Sequence, residues 1–131
     1  MKKIFVIGAG RSAVILIKYL LDNSIDNNWK IIVADFSEDL AKKVVGKHPN
    51  GVAIYFDVTD DSQRFSMISD SDIIISMLPA SMHISVAKDC IKLKKNLVTA
   101  SYVSDEMADL NEYAINSGVL LLNEMGLDPG I

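Results

Sequence analysis

The chain has 131 residues, enough to bury a real core in one domain, and 50% of them are hydrophobic against 23% charged, the balance of a globular α/β or α-rich domain. Its net charge of −4 argues against a nucleic-acid partner, whose phosphates call for a basic excess. No apolar run approaches the roughly 18 residues of a membrane span, so no membrane partner is expected.

The first predicted strand is Lys3 to Ile7, stopped by Gly8. Its apolar stretch is too short for a signal peptide and runs straight into a glycine turn. A helix follows over Ser12 to Leu21, where Ala13, Ile17, Leu20 and Leu21 share one face and Ile15 points away, beside Tyr19 and Asp22. An exposed Ile is ordinary, and this one is placed for a covering domain or a homodimer contact in a full-length protein. The polar stretch DNSIDNNW reads as an insert before the second strand, Lys30 to Ala34, which ends at Asp35.

Ser37 is placed to cap the next helix, Glu38 and Asp39 suit its first turn, and Gly46 ends it. A third strand, Val52 to Phe56, is followed by Asp57 and a short polar helix over Asp60 to Ile68. The fourth strand runs from Asp72 to Leu78 and stops at Pro79. In the helix Ser81 to Leu93, Cys90 lies among Val86, Ile91 and Leu93 and reads as a buried small apolar residue. A single cysteine builds no disulfide framework, so a reducing cytoplasm is the expected compartment. His83 in that helix reads as a packing or capping residue, and neither it nor His48 has a ligand partner at metal spacing. Lys88, Lys92, Lys94 and Lys95 read as a solvated helix end near the negative end of its dipole. Asn96 to Ala100 is a fifth strand, Asp105 to Asn116 a helix, and Val119 to Asn123 a sixth strand.

Strands and helices alternate throughout, without repeat or composition break. Four of the strands are continuous apolar runs, which implies that both faces of the sheet are covered. The expected fold is α/β: one domain over residues 1–131, with a doubly wound, parallel, six-stranded Rossmann sheet in the order 3-2-1-4-5-6.

Gly8-Ala9-Gly10-Arg11-Ser12-Ala13 is a G-x-G-x-x-A turn between the first strand and the first helix, the context such a fingerprint requires. Gly8 permits the tight turn, Gly10 lets a pyrophosphate approach the backbone, and small Ala13 lets the helix pack closely on the sheet. The N–H groups of the helix start, Ser12 included, then hold phosphate, with Arg11 as an added cation. Asp35 stands 25 positions after Gly10, against a usual spacing of about 20, and the polar insert accounts for the difference. Its carboxylate either accepts hydrogen bonds from the adenosine ribose or closes a strand-end turn. Phe36 follows it where a cation would neutralise a 2′-phosphate, so NAD is the expected cofactor in preference to NADP. Asp57 either meets the adenine or caps the helix behind it; Val58 packs on the ring, while Leu78 and Pro79 line the path to the nicotinamide ribose.

Thr99 to Ser104 (TASYVS) and Asn123 to Ile131 (NEMGLDPGI), with GAGRSA, DVTDD and SMLPASMHISVAKDCI, resemble the cofactor-binding domain of the glutamate-forming saccharopine dehydrogenases. The resemblance covers essentially the whole chain. It implies an oxidoreductase that interconverts saccharopine with glutamate and 2-aminoadipate 6-semialdehyde, passing a hydride between the nicotinamide and the carbon of a C–N bond. It also implies that Ser101 and Tyr102 contact the saccharopine backbone or carboxylates, and that Asp128 holds a substrate amino group. The bland readings are that Ser101 and Ser104 cap a helix and that Asp128-Pro129-Gly130 is a plain turn. NADP-preferring members carry a basic residue after the second strand, where this chain has Asp35-Phe36. Members of the family continue into an α+β substrate domain, so a chain that stops at Ile131 is expected to hold the cofactor half of a cleft. Related activities, carboxynorspermidine synthesis and lysine 6-dehydrogenation, share the glycine turn. So does a standalone NAD(H)-sensing regulatory module, which has no use for the Ser-Tyr pair or for GLDPG.

Overall fold

The structure, a computed structural model, describes residues 2–78, 80–99 and 121–122; of residues 11, 12, 80, 81, 83, 99, 121 and 122 it describes the backbone alone. The elements alternate in chain order: β1 (Lys2–Ile7), α1 (Arg11–Asn27), β2 (Trp29–Asp35), α2 (Glu38–Val45), β3 (Gly51–Tyr55), α3 (Asp61–Ser69), β4 (Ile73–Ser76), α4 (Ala80–Leu93), β5 (Asn96–Thr99) and β6 (Leu121–Leu122). Five strands lie parallel in the order β3-β2-β1-β4-β5, as predicted. Of the sixth strand expected over 119–123, Leu121 and Leu122 are described, in parallel register with Leu97 and Val98. The helix expected over 105–116 lies outside the described residues.

The continuous apolar runs have the cause that was expected of them. Successive side chains of a strand point to opposite faces, and here each face has its own core. Phe5, Ile7, Ile32, Ala34 and Ile74 pack with Val86, Ala87 and Cys90 of α4 and Ile68 of α3. Ile4, Val6, Ile31, Val33 and Ile75 pack on the other side with Ala13, Ile17 and Leu21 of α1 and Ala41 and Val45 of α2. Phe5 and Phe56 meet edge to face at 5.3 Å between ring centroids, an arrangement that suits the aromatic quadrupole.

Helix α1 runs further than its sequence pattern indicated. Residues 22–27 of the stretch read as a polar insert form its last turn and a half, because the buried face continues into Ser24, which is fully buried and donates its Oγ–H to the Leu21 carbonyl at 2.6 Å. Asn23 and Asn27 donate their side-chain amides to the carbonyls four residues back, at 2.8 Å each. These side chains satisfy carbonyl groups locally without leaving the helix. Asn28 then ends it in the left-handed conformation, φ 58°, one that asparagine tolerates better than most residues. Ile15 is 81% exposed, on the side of α1 away from the sheet.

Cys90 is fully buried on the sheet-facing side of α4. Burial, reinforced by the neighbouring Asp89 charge, pushes its thiol up to about 12, so it stays protonated at pH 8. The native protein should therefore leave Cys90 unmodified by an aromatic disulfide reagent, with full labelling once urea exposes it. Rapid labelling of the native chain would contradict this packing.

Candidate functional site

The strand order reverses at β1, which has β2 on one side and β4 on the other. Crossovers leave this point in opposite directions, opening a crevice at the carboxyl ends of the strands. The parallel ladder persists just beyond the strand ends: Gly8 N–H donates to the Ala34 carbonyl at 2.7 Å and Met77 N–H to the Ile7 carbonyl at 2.8 Å. The floor of the crevice is thereby held rigid.

The two glycines of the turn occupy very different places. Gly8 has φ +104°, and a Cβ there would sit 3.3 Å from the Met77 carbonyl carbon. The fold itself requires a glycine at this position. Gly10 has φ −71° and ψ −177°, extended backbone open to any residue, and a Cβ built on it meets nothing within 4 Å among the described residues. Among the described residues, the space over Gly10 is free.

Helix starts show the same contrast. Ser37 caps α2, its side chain accepting from Leu40 N–H, and Asp60 caps α3, accepting from Gln63 N–H at 3.1 Å. Acidic residues occupy the first turns of both, Glu38 and Asp39 in α2 and Asp61 in α3. Helix α1 starts at Gly10 with no side-chain cap and no acidic residue in its first turn. Of its first N–H groups, that of Ala13 donates to the Gly10 carbonyl at 2.9 Å; a helix start of this kind, with the positive end of its dipole, suits an anion. Ala13 is buried against the sheet, so the helix packs as closely as a small residue allows. Arg11 and Ser12 supply backbone to the helix start, and their side chains fall outside the description.

A cavity of about 490 Å³ opens beside this turn, within the range of small-molecule and cofactor sites. It gathers five of the predicted positions, Asp35, Phe36, Asp57, Val58 and Leu78, and adds Ile7, Phe56, Thr59 and Met82 to the lining. Its walls are largely apolar, with the two carboxylates as polar groups. Phe36, 71% exposed, leans on Tyr55 at the rim, with ring centroids 5.5 Å apart. The tilted pair leaves an exposed aromatic face beside the cavity.

Asp35 does more than its place at a strand end indicated. Its Oδ2 accepts from Ala9 N–H in the glycine turn at 2.7 Å, and its Oδ1 accepts from Ser37 N–H at 2.8 Å. One carboxylate thus ties the turn after β1 to the turn after β2. Asp57 leaves the capping of α3 to Asp60 and folds onto its own loop instead, Oδ1 accepting from Thr59 N–H at 2.9 Å and Thr59 Oγ1–H at 2.6 Å. Those two bonds, the side-chain one first, hold the Asp57 carboxyl below its ordinary value, so it is ionised at neutral pH.

Pro79, Ser101, Tyr102 and Asp128 lie outside the described residues. Met82 and Thr59 were missed from sequence: Met82 reaches the cavity from the first turn of α4, one turn after Leu78, and Thr59 is bound up with Asp57. The Asp-x-Thr spacing was a usable signal for Thr59, since a hydroxyl two residues after an aspartate commonly joins its turn.

Residues 4–122 match the family described as the saccharopine dehydrogenase NADP binding domain. The chain belongs to that family. Among curated relatives, it is 48% identical over 101 residues to the alpha-aminoadipic semialdehyde synthase of Arabidopsis thaliana, covering 77% of this chain and 10% of that protein. It is 37% identical over 131 residues to the saccharopine dehydrogenase [NADP(+), L-glutamate-forming] of Schizosaccharomyces pombe, covering 100% of this chain and 28% of the relative. Among solved structures, the apo saccharopine dehydrogenase (L-Glu forming) of Saccharomyces cerevisiae superposes with a TM-score of 0.88 at 33% identity, over 100% of this chain and 28% of that one. The chain thus spans between a tenth and just over a quarter of the length of these relatives. In this saccharopine dehydrogenase NADP binding domain, the described residues thus show a helix start without a side-chain cap, open space over Gly10 and a cavity lined by Ile7 and Asp35.

Proposed function

We propose that the chain is the dinucleotide-binding domain of an oxidoreductase acting on the C–N bond of saccharopine, to give glutamate and 2-aminoadipate 6-semialdehyde. The observation that carries the binding half of this reading is Gly10 at the start of α1, where an added Cβ would meet nothing within 4 Å among the described residues. The substrate half rests on membership of the family and on the names of the relatives. A bound nicotinamide dinucleotide supplies the hydride chemistry. The first-turn N–H groups of α1 hold its pyrophosphate, Asp35 meets the adenosine ribose, Asp57 and Val58 meet the adenine edge, and Leu78 and Pro79 lead toward the nicotinamide. Ser101, Tyr102 and Asp128 would face the amino-acid substrate, Asp128 through a charge-assisted hydrogen bond to its ammonium group. Residues 1–131 form one domain in this reading, with Leu121–Leu122 part of a full sixth strand over 119–123, and the rest of the substrate cleft comes from outside it.

The relatives named above include an NADP(+) enzyme, whereas we propose that this chain prefers NAD(H). Both oxygens of Asp35 accept a backbone N–H, yet each has a lone pair to spare, and a carboxylate at this place repels a 2′-phosphate. Phe36 offers no compensating cation.

Calorimetric titration with NADH and NADPH tests both statements. NADH should bind more tightly, and no binding of either at millimolar concentration would remove the dinucleotide reading. The substitution Asp35→Asn removes the charge and leaves one of the two N–H donors facing an amide N–H. It should raise the NADPH-to-NADH affinity ratio by about 10-fold and lower stability by about 1–3 kcal/mol for the unsatisfied donor. An unchanged ratio would remove the argument for NAD.

A further inference from the structure

Arg64, on α3, is a charged side chain outside the glycine turn and the lining of the cavity beside it. It is only 8% exposed, and a buried cation is uncommon unless paired. Its guanidinium points three ways. Nε donates to Asp89 Oδ2 on α4, Nη2 donates to Asp61 Oδ1 at 2.7 Å, and Nη1 donates to the backbone carbonyl of Val58 at 2.6 Å. Asp61 is exposed and holds the arginine weakly, while Asp89 is itself largely buried. Burial pulls the guanidinium down, but the bonds and charges of Asp89 and Asp61 outweigh it and hold it above its ordinary value.

An apolar side chain of similar volume would fill this space between α3 and α4 without the cost of desolvating an ion pair. What the arginine adds is direction: a fixed hold on one carbonyl, that of Val58, in the loop between β3 and α3. A second side chain of α3 reaches the same loop and the end of β3. Gln63 accepts from Asp57 N–H at 3.2 Å and donates to the Tyr55 carbonyl at 3.0 Å. Val58 and Thr59 line the cavity beside the glycine turn and also a smaller hollow of about 290 Å³, whose other side includes Arg64 and Met82. Arg64 therefore stands directly behind the wall that presents Asp57 and Val58.

We propose that Arg64 is a positioning residue for the nucleobase: by bonding the Val58 carbonyl and Asp89 together it locks the Asp57–Thr59 loop to α4, so that the Asp57 carboxylate meets an exocyclic amino group at a fixed place. The inference rests on the dinucleotide reading and deepens it. A rigid carboxylate discriminates an amino group from an oxo group, which it repels. A loosened loop shifts to accept the ring N–H of the oxo base instead, and loses the discrimination. The pyrophosphate end, held by α1, is untouched.

The test compares NADH with its reduced hypoxanthine analogue by calorimetry, on the wild-type chain and on Arg64→Met, Arg64→Lys and Asp89→Asn, with urea denaturation of each. The wild type should favour adenine by about 10-fold, the scale of one well-placed hydrogen bond to a charged group. Arg64→Met should bring that preference below about 3-fold while the analogue's affinity moves less than 2-fold, and Arg64→Lys should restore part of it. Asp89→Asn, which loosens the anchor on α4, gives the same reading should Arg64→Met not fold. Equal weakening of both ligands, or an unchanged ratio, would overturn the proposal and leave the dinucleotide site standing. A wild-type chain that binds both ligands equally would overturn it as well. A wild-type chain that binds neither ligand would instead overturn the dinucleotide reading, and this inference with it.

Discussion

Gly10→Val should lose at least 100-fold in NADH affinity and keep its fold. The backbone at Gly10 is extended, so valine adopts it without strain, and nothing described lies within 4 Å of the new Cβ. Valine is a poorer helix cap than glycine, which sets the stability cost at about 1 kcal/mol. The branched side chain would instead occupy the approach to the first-turn N–H groups of α1, keeping phosphate oxygens beyond hydrogen-bonding distance of about 3 Å. Calorimetric titration reads the affinity and thermal denaturation the fold. Binding at wild-type strength in Gly10→Val would show that the helix start is not where the ligand's charge sits.

Gly8→Ala should do the reverse, costing about 1–3 kcal/mol of stability in urea denaturation before any ligand is added. Its φ of +104° lies where side-chain-bearing residues rarely go, and the added methyl carbon would sit 3.3 Å from the Met77 carbonyl carbon and 3.4 Å from its oxygen. Neither neighbour yields easily, because Met77 N–H is bonded to the Ile7 carbonyl and Gly8 N–H to that of Ala34. A variant within about 0.5 kcal/mol of wild type, the scatter of ordinary surface changes, would mean that the turn relaxes elsewhere. The two glycines, two positions apart, thus separate into one that the sheet demands and one over which the described residues leave room.

The differences between expectation and structure have physical causes that can be named. The pattern in Ser12 to Leu21 located α1 but not its last turns, because Asn, Ser and Asp score as loop residues when their side-chain bonds to carbonyls three and four residues back are left out. Strand β4 was expected over 72–78 and spans Ile73–Ser76; Met77 keeps one ladder bond to Ile7 and the chain then turns away toward α4. Asp57 was one of the expected caps of a helix over Asp60 to Ile68, whereas α3 spans Asp61–Ser69 and its cap is Asp60. The helix settled on Asp60 because the residue immediately before the first helical turn is the one whose side chain reaches back to Gln63 N–H.

From the sequence alone came everything that depends on local period and local chemistry. Alternating strands and helices, five strand positions, coverage of both faces and the G-x-G-x-x-A turn all follow from runs of apolar residues and from glycine placement, and the order 3-2-1-4-5 was expected from the general rule for doubly wound sheets. The tertiary structure decided the pairings. Asp35 reaches Ala9 across 26 positions and Arg64 reaches Asp89 across 25, and no periodicity carries such information. It depends on which strand ends lie side by side and which helices share a face, and that is settled only when the crossovers from β1 and β3 have packed their helices on opposite sides of one sheet.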